Sequence, residues 1–204
     1  MKSTHFLEEL QRQFEEDFQS QIPELFDVVF DINGMKLYAH RYRLSTVSST
    51  FKSMLSDRWS SKNEAIPIKD YKFKDFKELL TFIYSGKCSF NDTNIFTILD
   101  MAEYYQISHL KELCDEYLSK MELNLSNSLK VLEICNKYSL TKAKETIAAF
   151  IIQNFTTLKC NKFLNAVDIK EIVTIFATKP HPKKHENLFL CIYEWAENQA
   201  NLKK

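Results

Sequence analysis

The chain has 204 residues, of which 45% are hydrophobic and 26% are charged, and such a composition is typical of a globular protein with a buried core. Its 27 basic residues balance its 27 acidic residues, so no overall field attracts nucleic acid or an anionic membrane surface. Two glycines in the whole chain are too few for the glycine-rich loops that cradle nucleotide phosphates. We therefore expect no nucleic-acid partner and no cofactor.

Apolar runs and cysteine spacing favour an intracellular protein. The apolar runs are shorter than the roughly 20 residues that a membrane-spanning helix needs, and residues 1–20 are charged where a signal peptide would be apolar. The five cysteines are widely spaced and form no Cys-x-x-Cys pair, which leaves zinc ribbons and redox dithiols without support. We expect a cytoplasmic or nuclear location and no membrane partner.

The first predicted element is an amphipathic helix over residues 4–20. Apolar side chains recur along it at helical spacing: Phe6, Leu7, Leu10, Phe14 and Phe18. Spacing of this kind gives a helix one apolar face. That face packs either on the chain's own domain or on a second copy of the protein, and the periodicity leaves both alternatives open.

A β-hairpin follows this helix. Residues 26–32 are apolar and β-branched, residues 35–39 form a second such run, and Asn33-Gly34 between them suits a two-residue hairpin turn. Asp27 starts the first strand and Arg41 follows the second, so the hairpin brings their side chains to nearby ends of one unit. They form either an ion pair or two unrelated surface charges.

Helices dominate the remaining sequence, and the fold class is α+β and mostly helical. One short edge strand is predicted at residues 65–68, because Pro67 cannot donate a ladder hydrogen bond. Apolar periodicity and capping residues predict helices over these ranges: 48–55, 73–84, 91–105, 108–118, 126–138, 141–154, 162–166, 168–176 and 186–199.

No group of side chains supports catalysis or a metal site. His181 and His185 are four positions apart, but Pro182 between them prevents the regular helix that such a site needs, and a solvated loop is expected. The serines after His40 have no oxyanion-hole glycines nearby, so His40 is interpreted as a structural residue. We expect no catalytic, cofactor-binding or metal-binding residues, and hence a protein that is not an enzyme.

A series of short motifs resembles a BTB/POZ domain followed by a BACK domain. In chain order the motifs are Asp27–Val29, Ala39-His40 with Leu44, Ser48-x-x-Phe51-x-x-Met54-Leu55, Phe82–Gly86, Ala102–Tyr105, Leu110–Cys114, and for BACK Leu125–Asn127 and Glu194-Trp195. The resemblance covers almost the entire chain. It implies a dimerisation helix at 1–22, a BTB/POZ domain with a small sheet and helices at 23–122, and an all-α BACK domain of helical hairpins at 123–204.

The resemblance also implies a homodimer. In transcription-factor members of the family, the positions of Asp27 and Arg41 form a charged pocket at the dimer interface. The residues implied for the interface are Phe6, Leu7, Leu10, Phe14, Asp27, Arg41, Leu44 and Ser48.

Many BTB–BACK proteins are adaptors that bind the cullin-3 N-terminal domain, which makes cullin-3 the implied partner. The residues implied for this contact are Met54, Leu55, Asp57, Trp59, Ser61, Tyr104 and Leu129. Such adaptors usually carry a hydrophobic-x-Glu motif after the Phe51 helix. Here Trp59 keeps the apolar anchor, but Ser61 stands where glutamate is expected, with Glu64 or Asp57 as alternative carboxylates.

The expected function is an adaptor that links an unidentified substrate protein to a cullin-3 RING ubiquitin ligase. The alternative is a BTB-dimer scaffold for transcriptional corepressor or cytoskeletal partners without a ligase role. A substrate-recruiting MATH or Kelch module has no room in 204 residues. Either the sequence is part of a longer chain, or the BACK surface itself recruits the substrate.

Overall fold

A computed structural model describes residues 4–56, 64–154, 173–174, 177, 186 and 189–197. The chain divides into two compact units, Met1–Cys114 and Asp115–Lys204. The division falls inside a helix, whereas the sequence pattern changes near residues 120–124.

The elements of the first unit confirm the α+β prediction of many helices around a small sheet. They are α1 (Thr4–Ser20), a short 3-10 helix (Pro23–Leu25), β1 (Val28–Ile32), β2 (Met35–Ala39), α2 (Arg41–Val47), α3 (Ser49–Met54), β3 (Ile66–Pro67), α4 (Phe73–Ser85), α5 (Ile95–Tyr104) and the start of α6 (Ser108–Lys120).

The predicted hairpin and edge strand are both confirmed. The sheet has the order β2-β1-β3, with β1 antiparallel to β2 and parallel to β3. Asn33 and Gly34 have φ angles of 54° and 85°, as the two-residue turn requires. The side chain of Asp31 fixes this turn by accepting the Gly34 N–H at 2.8 Å.

The core of the first unit is built on aromatic side chains that join the sheet to the helices. Phe30 of β1 meets Phe76 of α4 edge to face, with ring centroids 5.2 Å apart. Phe51 of α3 stacks on Tyr105, just after α5, at 4.3 Å. All four are buried, and such aromatic contacts add to the hydrophobic term.

Gln21 fixes the end of α1 to the outer edge of β2. It has a φ of 50° and donates through Nε2 to the Phe18 carbonyl at 2.7 Å and to the Tyr38 carbonyl at 3.2 Å. The Tyr38 N–H in turn donates to Gln21 Oε1 at 2.9 Å. One amide side chain thus takes the place of a neighbouring strand at that position.

Two helices begin with the same side-chain turn. The Asn91 side chain accepts the Asn94 N–H at 2.9 Å, and the Asn124 side chain accepts the Asn127 N–H at 3.0 Å. The prediction that the helix starts at Asn91 is therefore wrong, because Asn91 forms a turn and α5 begins at Ile95. The second turn likewise moves the start of α7 to Ser128.

The same two helices also end alike. Gln106 and Ser139 both have a φ of 54°, the left-handed conformation that stops a helix. The next N–H then bonds back at 2.8 Å in each case, from Ile107 to the Ala102 carbonyl and from Leu140 to the Cys135 carbonyl.

The second unit contains the end of α6 followed by α7 (Ser128–Lys137) and α8 (Lys142–Asn154), which confirms the predicted helix pair. Asp115 of α6 is 7% exposed, and its carboxylate accepts the N–H groups of Thr141, Lys142 and Ala143 at 3.0, 3.1 and 2.8 Å. It therefore caps the start of α8 from another helix.

Residues 189–197 are also helical. The predicted helix at 162–166, most of that at 168–176, and the loop from His181 to His185 lie outside the described residues.

Candidate interaction surfaces

Helix α1 is held on the first unit by one side of its amphipathic pattern. Phe18 is fully buried and stacks on Tyr84 of α4, with ring centroids 4.3 Å apart. Gln11 donates from Nε2 to the Tyr84 carbonyl, and Phe14 is half-buried on the same side. The C-terminal half of the apolar face of α1 therefore packs on the chain's own domain.

Arg43 of α2 is the polar centre of this contact, and the sequence interpretation missed it. Its Nη2 donates to Gln11 Oε1 at 3.0 Å and to the Tyr84 carbonyl at 2.9 Å. The guanidinium carbon also lies 4.6 Å from the centre of the Phe14 ring, a cation–π distance. Burial lowers the pKa of Arg43 from its ordinary value, although a guanidinium stays charged at neutral pH.

The N-terminal end of the apolar face of α1 is exposed. Phe6 is 61% exposed, Leu7 56% and Leu10 41%, although all three are large apolar side chains. Tyr42 of α2 is 83% exposed and Val47 42%. We call these five residues the α1–α2 face. Tyr42 and Val47 line a pocket together with Phe14 of α1, which places them beside that helix, and contiguous exposed apolar patches mark interaction sites.

A pocket of about 380 Å³ opens beside this face. It is lined by apolar, aromatic and basic side chains: Phe14, His40, Tyr42, Arg43, Thr46, Val47 and Ile83. Two other residues predicted for the dimer interface are buried: Leu44 is fully buried and Ser48 is 2% exposed. Their side chains therefore lie inside the unit and not on the α1–α2 face.

Asp27 contacts the backbone of Arg41. The Arg41 backbone N–H donates to Asp27 Oδ1 at 2.7 Å, so the carboxylate supports the first turn of α2. Next to them, the His40 N–H donates to the Tyr84 hydroxyl oxygen at 2.7 Å, and His40 Nδ1 lies 2.8 Å from the same oxygen. Burial raises the pKa of Tyr84 to about 12. His40 is thus a structural residue, as interpreted from the sequence.

A second surface forms where α3 meets the end of α5, which we call the α3–α5 end. Ser48 Oγ donates to the Tyr105 carbonyl at 2.5 Å, and Thr50 Oγ1 donates to the Tyr104 carbonyl at 3.0 Å. These bonds hold Tyr104 in place while its side chain stays 61% exposed. Sequence periodicity gave no sign of this support, because it joins residues more than 50 positions apart.

The predicted cullin-binding residues are distributed over three regions. Met54 is half-buried on α3 and Leu55 is 1% exposed just after it, both in the unit that holds Tyr104. Asp57, Trp59 and Ser61 lie outside the described residues. Leu129 is half-buried on α7 in the second unit.

Two other kinds of site are absent from the part of the chain that the structure describes. The described residues contain no group of three or more His, Cys, Asp or Glu side chains placed to hold a metal ion. No helix among them has both the length and the apolar content required to cross a bilayer.

Comparison with known proteins identifies the first unit. The family model of the BTB/POZ domain matches residues 14–122. Kelch-like protein 7 of Homo sapiens is 31% identical over 150 residues, which are 72% of this chain and 25% of that protein. BTB/POZ and MATH domain-containing protein 6 of Arabidopsis thaliana is 29% identical over 150 residues, or 65% of this chain and 36% of that protein.

Solved structures share the same fold. The BTB domain of zebrafish PATZ1 matches with a TM-score of 0.53 at 17% identity, covering 59% of this chain and 98% of that one. The aligned segment is only 25% of Kelch-like protein 7, so this chain corresponds to part of each curated relative. Because the family model covers more than half of the sequence and the small sheet is surrounded by helices as that fold requires, the chain belongs to the BTB/POZ family.

Proposed function

We propose that the chain is a dimeric protein-interaction adaptor, without enzymatic activity of its own, that links a substrate protein to a cullin-3 RING ubiquitin ligase. The observation that carries the proposal is the presence of two exposed surfaces, built from different elements, on one BTB unit. The α1–α2 face suits a second copy, and the α3–α5 end suits the cullin. Similarity to Kelch-like protein 7 and to a BTB/POZ and MATH protein supports an adaptor.

Dimerisation explains the exposed apolar side chains of α1. A two-fold interface uses the same patch on both subunits, so each apolar contact is made twice. At micromolar concentration, light scattering should give twice the chain mass of 24.1 kDa. Leu10→Glu should shift the mass to that of the monomer, because it places a charge in the apolar face.

Gln19→Glu is the matched control for this variant. It adds the same charge to the opposite, exposed side of α1 and should leave the dimer intact. A wild-type chain that scatters as a monomer would remove dimerisation from the proposal.

Cullin binding is tested with the purified N-terminal domain of cullin-3. We expect submicromolar affinity, and a loss of about tenfold or more for Tyr104→Ala, since exposed aromatic anchors carry much of the energy of an interface. Trp59→Ala should weaken binding in the same way. Tyr42→Ala removes a more exposed aromatic side chain from the α1–α2 face and should have little effect on cullin affinity.

Ser61→Glu provides a gain-of-function test. Restoring the expected glutamate should strengthen cullin binding by about 1.5–3 kcal/mol if the carboxylate makes a charge-assisted hydrogen bond. No binding by the wild type or by Ser61→Glu would exclude the ligase role and leave the scaffold alternative, a BTB dimer for corepressor or cytoskeletal partners.

A further inference from the structure

Arg43 is a half-buried cation that has no counter-ion among the described residues. Its three hydrogen bonds go to two backbone carbonyls and one amide oxygen, those of Ile83, Tyr84 and Gln11. Within the described part of the chain, no carboxylate forms an ion pair with it and Nη1 donates no hydrogen bond. A cation that is partly removed from water gains strongly from a carboxylate partner, since both the charge and the planar donor geometry match.

The surroundings of Arg43 provide space for such a partner. The guanidinium borders the 380 Å³ pocket, whose volume suits one or two side chains. Two basic residues, Arg43 and His40, line this pocket and no acidic residue does. Its apolar wall includes Phe14 of α1 and Val47 of α2, so the pocket continues directly from the α1–α2 face.

The charge of α1 is complementary to this pocket. Within residues 4–20 the helix carries five acidic residues, Glu8, Glu9, Glu15, Glu16 and Asp17, and two basic ones, His5 and Arg12.

Three of these acids already have cationic partners. Glu9 and Glu16 pair with Arg12, and Glu15 pairs with a lysine. In the described part of the chain, Glu8 and Asp17 form no ion pair.

We propose that α1 of a second copy covers the pocket and supplies the carboxylate of Asp17, which lies two turns from Leu10 on the same side of the helix, to Nη1 of Arg43. The inference rests on the proposed dimer and makes Arg43 a residue that determines its specificity. Covering the pocket removes water from the guanidinium, and a buried charge left unpaired is strongly unfavourable. A partner helix that has apolar side chains but no carboxylate at this position leaves the guanidinium unpaired and binds more weakly. The pocket therefore favours a second copy of this chain over other amphipathic helices.

The test measures the dimer dissociation constant by sedimentation at low and high salt. Arg43→Gln and Asp17→Asn should each weaken the dimer about tenfold or more at low salt. Combining the two changes should weaken it no further, because both sides of one interaction are then absent. The wild-type constant should rise with salt, and that of Arg43→Gln should change less.

Arg12→Gln is the control, since it removes an exposed α1 cation whose ion pairs, among the described residues, lie within its own helix, and it should not weaken the dimer. Asp17→Asn leaves Arg43 and its contacts untouched, so it remains informative even if Arg43→Gln loosens α1. An intact dimer with unchanged affinity in the Asp17→Asn variant would overturn the inference while dimerisation stands.

A monomeric wild type would instead overturn the dimer itself. Binding of an acidic peptide to wild-type dimers but not to Arg43→Gln dimers would assign the pocket to another protein, and would also contradict the inference.

Discussion

Replacing Asp115 with alanine should destabilise the second unit by about 2–4 kcal/mol, and the structure shows where this cost arises. The carboxylate accepts three N–H groups in the first turn of α8, groups that have no partner within that helix. Loss of a cap alone costs about 0.5–2 kcal/mol. Water can replace the carboxylate at exposed Thr141 and Lys142, but Ala143 is 1% exposed, and an unsatisfied buried N–H adds about 1–3 kcal/mol.

Urea unfolding and hydrogen exchange of the α8 amides would measure the effect. Asp115→Asn should cost less than Asp115→Ala, because the amide retains one accepting oxygen and loses the other. Glu116→Ala is the matched control on the neighbouring position, where the carboxylate forms an exposed i,i+4 pair with Lys120. Such pairs contribute little to stability, so the unfolding midpoint should stay close to that of the wild type.

Either of two outcomes would refute this account of the cap. One is a stability for Asp115→Ala within about 0.5 kcal/mol of the wild type, the usual range for surface substitutions. The other is a loss of exchange protection spread evenly over both units, since the carboxylate touches only the start of α8.

Three smaller predictions concern other polar contacts. Ser128→Ala should be neutral or stabilising in thermal unfolding, because the Ser128 hydroxyl is buried without a hydrogen-bond partner in the described part of the chain; a clear loss of stability would reveal a partner. The hydrogen bond from Lys36 lowers the pKa of Asp31, so this pair stabilises the hairpin above the unfolded-state pKa and the contribution disappears as pH falls through the lowered folded-state value. Lys36→Met should raise the Asp31 pKa toward its ordinary value in an NMR titration, and an unchanged pKa would contradict the assignment. Gln21→Gly keeps the positive φ but loses the bonds to Tyr38, and should cost about 1–3 kcal/mol in urea unfolding; no cost would show that water serves that strand edge equally well.

Features fixed by neighbouring residues could be predicted from the sequence. Asn33-Gly34 determines the hairpin because the pair itself supplies both positive φ angles, and the spacing of Phe6, Leu10, Phe14 and Phe18 predicts α1 with its apolar side. The same spacing could not show that Phe18 is fully buried whereas Phe6 is 61% exposed. The difference arises because the rest of the domain covers the C-terminal end of α1 and leaves its N-terminal end exposed.

Features that join distant parts of the chain were beyond sequence reasoning. Arg43 meets Gln11 across 32 positions, and Asp115 meets Thr141 across 26. An arginine within a helix and an acid within another resemble ordinary surface charges, so no local pattern marks either residue. The resemblance of the sequence to BTB–BACK proteins predicts interaction surfaces, but it does not predict these contacts, which join residues of this chain.

The matching starts and ends of α5 and α7 have a consequence for how the chain folds. Each helix is delimited by contacts that close within a few residues, from an asparagine turn at one end to a left-handed residue at the other. Local contacts of this kind need little loop closure and form early. The ends of both helices are therefore defined by local contacts, which do not depend on tertiary packing. The long-range contacts, such as those made by Arg43 and Asp115, are expected to form later in folding.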